Sequence, residues 1–290
     1  MAQRVSPERL KGCPCENMER LRIGIVGCGA IGTSLAKAIV KKFTKQASLV
    51  SLNDIDKNKA LLLARRLKRS NSIVSNSLDN LIKKSDLVIE ATDVKSCPTI
   101  VKSALKKGRD VIIMSVGGIV THMNQLNRLA DKNRVKVYIP SGAICGVDAL
   151  KAASQRKIKK VILITRKNPR SFEDTDYIRR KRIRLDKIKK DTVLFSGSAR
   201  QAIKFFPQNI NVAATLSIAG VGQVKTQVKI VASPKVKRNI HEIYIESDAG
   251  IILSRVENLV HPHNPKTSFL AVLSAIATLR RILEPVRVGT

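Results

Sequence analysis

The sequence predicts an α/β fold in which a doubly wound parallel sheet is followed by a second, α+β domain. Three observations carry this prediction. A glycine-rich turn at residues 27–32 follows an apolar run and opens a helical pattern, and apolar runs alternate with helical patterns from there to residue 140. Beyond residue 140, strand-like runs outnumber helical patterns. A chain of 290 residues is long enough to bury two cores of ordinary size.

These patterns divide the chain into four segments. Residues 1–20 are polar, lack sustained apolar periodicity and predict a loosely held extension. The alternating domain covers residues 21–140, and the α+β domain covers residues 141–267 with a basic insertion at about 169–190. Residues 268–290 predict a C-terminal helix that packs back on the molecule or contacts another subunit.

The first domain alternates strands and helices along its whole length. Its predicted strands are 21–26, 48–52, 72–74, 87–90, 111–115 and 135–139. Its predicted helices are 30–43, 57–68, 77–84, 97–107 and 125–132. Because consecutive strands are joined through helices, the sheet is expected to be parallel.

The second domain does not alternate strands and helices regularly. Its predicted strands are 160–165, 193–195, 227–231, 241–246 and 250–256. Its predicted helices are 147–154 and 199–206, and the C-terminal helix begins at residue 268. The Arg- and Lys-rich segment between residues 167 and 190 predicts a basic loop or hairpin.

The charge of the chain is strongly one-sided. It carries 54 Lys and Arg against 22 Asp and Glu, a formal net charge of +32, which attracts nucleic acid, acidic membrane surfaces or anionic metabolites. Aromatic residues make up 3% without any Trp, so stacking platforms for single-stranded nucleic acid are scarce. No apolar run reaches the roughly 20 residues of a membrane span and the N-terminus lacks a secretory pattern. We therefore expect a cytoplasmic protein without a membrane partner.

The cysteines and histidines do not predict a metal site. Five cysteines, at positions 13, 15, 28, 97 and 145, show no repeated CxxC spacing and predict reduced thiols. Cys13 and Cys15 lack a second pair, and His261 and His263 lack a neighbouring carboxylate or cysteine that would complete a ligand set.

The glycine-rich turn lies where a predicted strand meets a predicted helix, which is the setting of a dinucleotide-binding turn. Gly27 allows the tight turn, Gly29 lets the backbone approach a pyrophosphate, and Gly32 lets the helix pack closely. The helix N-terminus then faces the phosphates. This predicts a Rossmann-type domain that binds NAD or NADP, with a purely structural glycine turn as the alternative. The cofactor-binding residues of the turn are Gly27, Gly29, Ala30, Ile31 and Gly32.

Asp54 ends the second predicted strand. A carboxylate at this place accepts hydrogen bonds from the adenosine ribose hydroxyls and repels a 2′-phosphate. This favours NAD. NADP is the alternative because four cations follow that can meet a phosphate, and an aspartate at this position can also serve as a helix cap. These cations are Lys57, Lys59, Arg65 and Arg66.

Small and polar residues follow the later strands. Segments 91–93, 115–118 and 141–143 fall at the carboxyl edge of the predicted sheet, where a nicotinamide ribose would lie. Segment 141–143, Ser-Gly-Ala, would be nearest the chemistry. Turn formation is an equally good interpretation of each segment.

Five motifs together carry a family resemblance. They are the turn at 27–32, Ser-Gly-Ala-Ile-Cys-Gly at 141–146, Phe-Pro-Gln-Asn-Ile-Asn-Val-Ala-Ala-Thr at 206–215, Asn-Ile-His-Glu at 239–242 and Asn-Pro-Lys-Thr-Ser at 264–268. In this order, from about Leu21 to the C-terminus, the chain resembles the archaeal and bacterial L-aspartate dehydrogenases.

The resemblance implies oxidative deamination of L-aspartate with NAD or NADP in a homodimeric enzyme. The product iminosuccinate would hydrolyse to oxaloacetate and ammonia, or pass to a quinolinate synthase in NAD biosynthesis. His241 matches the catalytic histidine of the family, and imidazole titrates near neutrality. Ala143 and Asn211 match positions that contact the nicotinamide end of NAD.

The substrate carboxylates need cationic partners. Arg166, Lys167 and Lys266 stand in motif-like surroundings, with solvated surface cations as the alternative interpretation. Asn264 is a further candidate for the substrate site, and Thr267 and Ser268 either bond substrate or cap the final helix.

The chain also departs from the family pattern. The N-terminal extension and the basic insertion look additional, and His263 stands where acidic residues are usual. The insertion could be a lid, an oligomer contact or a site for an anionic partner. Two other functions remain open: a related dehydrogenase or reductase for another amino dicarboxylate or keto acid, and a nucleic-acid-binding protein that retains the fold.

Overall fold

The computed structural model describes residues 19–206, 210–262 and 264–289, and the side chains of residues 264–266 lie outside that description. Most of the predicted N-terminal extension also lies outside the described residues. Two five-stranded sheets, each covered by helices, make up the described chain.

The first sheet is parallel throughout and has the order β2-β1-β3-β4-β5. The prediction of a doubly wound α/β fold is therefore confirmed. Its strands are β1 Leu21–Val26, β2 Ala47–Asn53, β3 Leu87–Glu90, β4 Asp110–Ile113 and β5 Val137–Tyr138. Its helices are α1 Ala30–Lys42, α2 Lys57–Arg66, α3 Leu78–Lys84, α4 Cys97–Lys106 and α5 Met123–Asn133.

Both faces of this sheet are buried, as expected when helices cover both sides. Ile23 and Ile25 pack with α1 in one cluster, whereas Val88 packs with α4 in another. The parallel strands bring the carboxyl ends of β1, β3 and β4 to one edge, and the loops at that edge build the site described below.

One strand of the first domain was predicted wrongly. Segment 72–74 forms a single 3-10 turn, Asn71–Ile73, and Val74 makes only an isolated bridge with Leu52. Ser70 accepts a hydrogen bond from the Ser72 N–H, and this local bonding competes with a ladder.

The second sheet is mixed and has the order β10-β9-β6-β8-β7, with β6 parallel to β8 and the other pairs antiparallel. Its strands are β6 Ile158–Lys167, β7 Thr192–Ser198, β8 Gln227–Ala232, β9 Asn239–Ser247 and β10 Gly250–Asn258. The helices around it are α6 Val147–Ala153, α7 Asp176–Arg180, α8 Ala199–Phe205, α9 Asn211–Ala219 and α10 Gly222–Lys225. The α+β architecture of the second half is confirmed.

The chain ends with a small hairpin and a long helix. Strands β11 Val260–His261 and β12 Asn264–Ser268 pair and lead into α11 Phe269–Leu283. Ala275 and Leu279 of α11 are buried in the core of the first domain, where this helix packs against α1. No described helix is long and apolar enough to cross a membrane.

The basic insertion is neither an open loop nor a hairpin. It contains 3-10 turns at Pro169–Phe172 and Leu185–Lys187, with α7 between them. Phe172 is fully buried and Ile178 nearly so, while Tyr177 contacts the rings of Phe205 and Phe206. These apolar residues, scattered among the cations, anchor the segment to the core of the second domain.

Candidate active site

The turn between β1 and α1 has the shape that its glycines require. Gly27 has φ +95°, and a Cβ on it would lie 2.3 Å from the Ala91 carbonyl oxygen. A Cβ on Gly32 would lie 1.9 Å from the Gly27 carbonyl oxygen, so only glycine lets α1 start so close to β1. At Gly29 a Cβ would meet nothing within 4 Å, because this residue borders open space at the helix N-terminus.

That open space suits a diphosphate. Gly29 caps α1 without a side-chain bond, and the first turn of α1 contains no acidic residue. The N–H groups of a first helical turn have no partner inside the helix, and the helix dipole favours negative charge there. The residues present therefore fit the phosphates of a dinucleotide.

Asp54 stabilises the turn from the end of β2. Its Oδ2 accepts from the Cys28 N–H at 2.7 Å and its Oδ1 accepts from the Asp56 N–H at 2.9 Å. Asp56, not Asp54, caps α2 by accepting from the Asn58 N–H at 3.1 Å. A carboxylate has about four acceptor positions, so Asp54 retains capacity for ribose hydroxyls.

Only two of the four cations considered for a 2′-phosphate lie near Asp54. Lys57 and Lys59 are in the first turn of α2, whereas Arg65 and Arg66 are in its last turn. Ten helical residues span about 15 Å, so the prediction that Arg65 and Arg66 could meet this phosphate is wrong.

Glu90 is a site-organising residue that the sequence did not single out. It is fully buried at the end of β3 and accepts from the N–H and hydroxyl of Thr92, both at 2.7 Å. It also accepts from the N–H and hydroxyl of Ser115 at 2.9 Å, and from the Met114 N–H at 3.3 Å. One carboxylate thus joins the loops after β3 and β4.

A cleft separates the two sheets and continues from the glycine turn. Its first wall comes from Ile31 and the β4 loop, with Met114 and Val116. The crossover segment Ser141-Gly142-Ala143 forms its floor. Its second wall comes from the other domain, with Lys167, Asn211, Thr215 and His241, and Thr267 and Ser268 line it where α11 begins.

His241 lies on β9 with its side chain on the cleft side of the second sheet. It pairs with Thr165 of β6, whose Oγ1 is 3.0 Å from the histidine Nδ1. Burial lowers the pKa of His241 to about 3, with the neighbouring charge of Lys167 as the second, smaller cause of the same shift. The imidazole is therefore neutral at ordinary pH, with one of its two ring nitrogens unprotonated.

Lys167 reaches the same cleft from β6. Residues two apart on a strand share a face, so Lys167 lies beside Thr165 and His241. Burial lowers the pKa of Lys167 to about 8. Arg166, which lies between Thr165 and Lys167 in the sequence, points to the other face of the sheet, where it pairs with Asp191 and Glu242. The prediction that Arg166 binds substrate is therefore wrong.

Asn211 and Ala143 lie at the meeting point of the two domains. Asn211 begins α9, and its Oδ1 accepts from the Gly117 N–H at 3.0 Å, which ties the second domain to the loop after β4. Ala143 is buried, and its carbonyl accepts from Asn258 Nδ2 at 2.9 Å. Both residues border the cleft beyond the glycine turn.

The start of α11 completes the cleft. Thr267 and Ser268 both line it, and Ser268 stands at the N-cap without a side-chain cap bond. The simpler interpretation of Ser268 as a capping side chain is therefore wrong. The side chains of the candidates Asn264 and Lys266 lie outside the described part of the chain, as does His263.

The structure shows another role for His261. This histidine is buried, its Nε2 is 3.2 Å from Ser34 Oγ, and its ring packs edge-to-face on Phe269 with centroids 5.6 Å apart. Among the described residues, no group of three His, Cys, Asp or Glu side chains could hold a metal ion.

A dinucleotide turn that opens onto a cleft with a neutral histidine and a buried lysine defines the class: the protein is a nicotinamide-dependent dehydrogenase. Residues 27–140 match the family described as homoserine dehydrogenase, NAD binding domain, and residues 148–282 match aspartate dehydrogenase, C-terminal.

Whole-chain comparisons narrow the class to a family. The L-aspartate dehydrogenase of Methanosarcina barkeri is 45% identical and that of Methanocaldococcus jannaschii 39%, each match covering 93% of this chain and 100% of the relative. The crystal structure of aspartate dehydrogenase from Thermotoga maritima superimposes with a TM-score of 0.71 at 26% identity, covering 93% of this chain and all of that one. The chain belongs to the L-aspartate dehydrogenase family.

Proposed function

We propose that this chain catalyses the NAD-dependent oxidative deamination of L-aspartate in the cleft between its two domains. The observation that carries the proposal is the pairing of a neutral, buried His241 with a buried Lys167 at the nicotinamide end of a dinucleotide site. Oxidation of an amino dicarboxylate requires a group that takes a proton from its ammonium and a cation that binds its carboxylates. His241 is suited to the first role and Lys167 to the second.

Bound NAD would supply the acceptor for the hydride that leaves the substrate α-carbon. The substrate ammonium loses one proton to His241, and the α-carbon and nitrogen become the imine of iminosuccinate. Water then adds to the imine and releases ammonia, which leaves oxaloacetate. Lys167 holds a substrate carboxylate and so orients the α-carbon, a contribution that can supply much of the rate.

The remaining site residues hold the cofactor or the substrate. Residues 27–32 receive the diphosphate and Asp54 the adenosine ribose, which favours NAD over NADP. Ala143 and Asn211 border the place of the nicotinamide. Thr267, with Asn264 and Lys266 of the same motif, is proposed to contact the substrate carboxylates.

A substrate panel tests this proposal. Purified protein is mixed with NAD or NADP and one of L-aspartate, L-glutamate, L-malate or D-aspartate, and both reduced nucleotide and ammonia are measured. We expect L-aspartate with NAD to give the highest kcat/KM by about 100-fold, with ammonia equal to reduced nucleotide. A higher kcat/KM for another substrate would assign the cleft to a related dehydrogenase.

The outer face of the second sheet supports a homodimer. Leu253 and Ile251 of β10 are 75% and 65% exposed, and Leu253 lies beside Tyr244 of β9 on that face. Exposed apolar side chains on an open sheet face are typical of a subunit interface. We propose that a second copy of the chain packs against this face.

We further propose that the enzyme works in the cytoplasm and that its product enters NAD biosynthesis. Cys28, Cys97 and Cys145 are free thiols, which suits a reducing compartment. Iminosuccinate hydrolyses in water, so transfer to a quinolinate synthase would have to be rapid. With the three-carbon co-substrate that supplies the rest of quinolinate's seven carbons, mixing both enzymes with L-aspartate and NAD should raise the quinolinate yield above that obtained with oxaloacetate and ammonia.

A further inference from the structure

The cations of the first domain are concentrated at one edge of its sheet. Five segments connect the last turn of a helix to the following strand or its approach: residues 41–46, 65–70, 83–86, 106–109 and 132–136. Lysine and arginine make up 15 of these 25 residues, and Asp86 is the one acidic residue among them. Because all five strands are parallel, these segments lie together at the edge where the strands begin. We call them the basic edge.

Nearby carboxylates neutralise only a small part of the basic edge. Asp79 pairs with Lys83 and Lys107, and Asp86 pairs with Arg22 and Arg109. All but Arg109 of the 15 cations are exposed. The further acidic residues that border this edge are Glu19, Asp110 and Asp131, while Arg20 adds another cation.

Compensation of helix dipoles accounts for only part of this distribution. It favours acidic residues at helix N-termini, where Asp56 caps α2 and Asp79 stands in the first turn of α3, and cations at helix C-termini. The cations of the basic edge, however, continue past the helix ends into the connections, at Lys45, Lys68, Arg69, Arg109 and Lys136. The other acidic residues of the first domain, Asp54, Asp56, Glu90 and Asp93, lie toward the opposite edge, near the cofactor turn.

The densest part of the basic edge is a shallow crevice between α1 and the end of α2. Five cations line it, together with Val40 and Leu67. They are Lys41, Arg66, Lys68 and Arg69 of the basic edge and Lys37, one turn earlier on α1. Like charges crowded in this way repel each other, so the crevice gains free energy when an anion lies across it.

The chemistry of the edge matches a phosphodiester backbone. Five strands about 4.8 Å apart spread the cations over roughly 19 Å, which suits an extended array of phosphates. Phe43 is the one aromatic residue in the five segments and it is buried, so the edge lacks the stacking surfaces that hold single strands. The described large apolar side chains that are exposed lie elsewhere, which disfavours insertion into a lipid bilayer.

We propose that the basic edge binds double-stranded DNA through its phosphates. The contact is independent of base sequence, because lysine and arginine contacts to phosphates carry no sequence information. The cleft opens at the opposite edge of the sheet, so DNA and dinucleotide occupy separate ends of the domain.

Binding of a fluorescein-labelled 24-bp duplex, measured by anisotropy from 50 to 200 mM salt, tests the proposal. The edge variant carries Lys41→Gln, Lys45→Gln, Arg66→Gln and Arg69→Gln. The control carries Arg180→Gln, Lys181→Gln, Lys189→Gln and Lys190→Gln in the insertion, so both lose four positive charges. NAD affinity, measured without DNA, shows that each variant is folded.

We expect wild-type affinity to fall steeply with salt, since each neutralised phosphate releases counterions. The edge variant should bind at least about tenfold more weakly and lose about 3 from the log–log salt slope. The control should stay within about threefold of wild type. If both variants bind the duplex equally weakly, the loss of affinity follows from the lost net charge and not from the position of the cations, and the proposal is overturned. Wild-type binding to phosphatidylserine vesicles but not to the duplex would overturn it too.

Discussion

At the scale of single residues, the site depends on ionisable groups that are buried. Glu90, His241 and Lys167 are all at most 8% exposed, and each borders or supports the cleft. The sequence motifs identified His241 and Lys167, because both stand in recognisable surroundings. Glu90 looked like the last residue of a strand. Its importance comes from Thr92 and Ser115, which fold back on it.

Glu90→Gln should weaken both the fold and cofactor binding. The amide nitrogen would face donors that now meet carboxylate oxygens, and an unsatisfied buried group costs about 1–3 kcal/mol. We expect unfolding free energy to fall by about 2 kcal/mol and the Kd for NAD to rise several-fold. Urea denaturation and calorimetric titration measure the two effects. The exposed Glu173→Gln is the control, and a Glu90 variant indistinguishable from it would contradict the role given to Glu90.

Lys167 should make the binding of dicarboxylates dependent on pH. Its pKa is lowered to about 8, so the ammonium is charged below that pH and loses its charge as the pH rises through it. His241, with a pKa of about 3, stays neutral throughout this range. Inhibition by succinate, which cannot be oxidised at an amino carbon, should therefore weaken above about pH 8. A Lys167→Met variant should bind succinate weakly without this pH dependence, and a dependence that persists in it would point to another group.

At the scale of elements, the sequence predicted regular segments well and irregular ones poorly. Alternating apolar runs located all five strands and all five helices of the first domain, because buried strands and amphipathic helices leave clear periodicities. Helix α9 escaped prediction because Ala213 through Ser217 are all buried, so it lacks a polar face. The short 3-10 turn at Asn71–Ile73 has strand-like composition but no partner strand along its length.

The junction of β1 and α1 offers a direct test at this scale. Gly32→Ala would place a methyl group 1.9 Å from the Gly27 carbonyl oxygen, so α1 would have to move away from the sheet. We expect a loss of about 1–3 kcal/mol in unfolding free energy and at least a tenfold loss in NAD affinity. The exposed Lys37→Ala on the same helix should preserve both. Unchanged NAD affinity in the Gly32 variant would remove the turn from the cofactor site.

At the scale of the whole molecule, function depends on contacts that no local pattern contains. The Asn211 bond to Gly117 joins residues 94 positions apart, and Thr165 meets His241 across 76. The sequence motifs predicted candidate site residues, whereas only the fold shows which of these residues line the same cleft. Arg166 illustrates the difference, because strand alternation turns it to the other face.

The open face of the second sheet predicts the assembly state. Leu253→Glu would place a charge beside Tyr244 on the exposed face, at a position that a packed interface would have to bury. We expect light scattering to report a dimer for the wild type and a monomer for this variant. Lys235→Gln, at an exposed position outside β8, β9 and β10, lowers the net charge by the same one unit and should remain dimeric. A Leu253 variant that stays dimeric would place the interface elsewhere.

The most direct test of the cleft as the place of aspartate oxidation is the steady-state rate of His241→Gln with L-aspartate and NAD, measured beside its Kd for NAD. Glutamine keeps a polar side chain of similar length but cannot take the proton. We predict that kcat falls by at least about 100-fold while the Kd for NAD stays within about twofold of wild type. A His241 variant that oxidises L-aspartate at the wild-type rate would contradict the account.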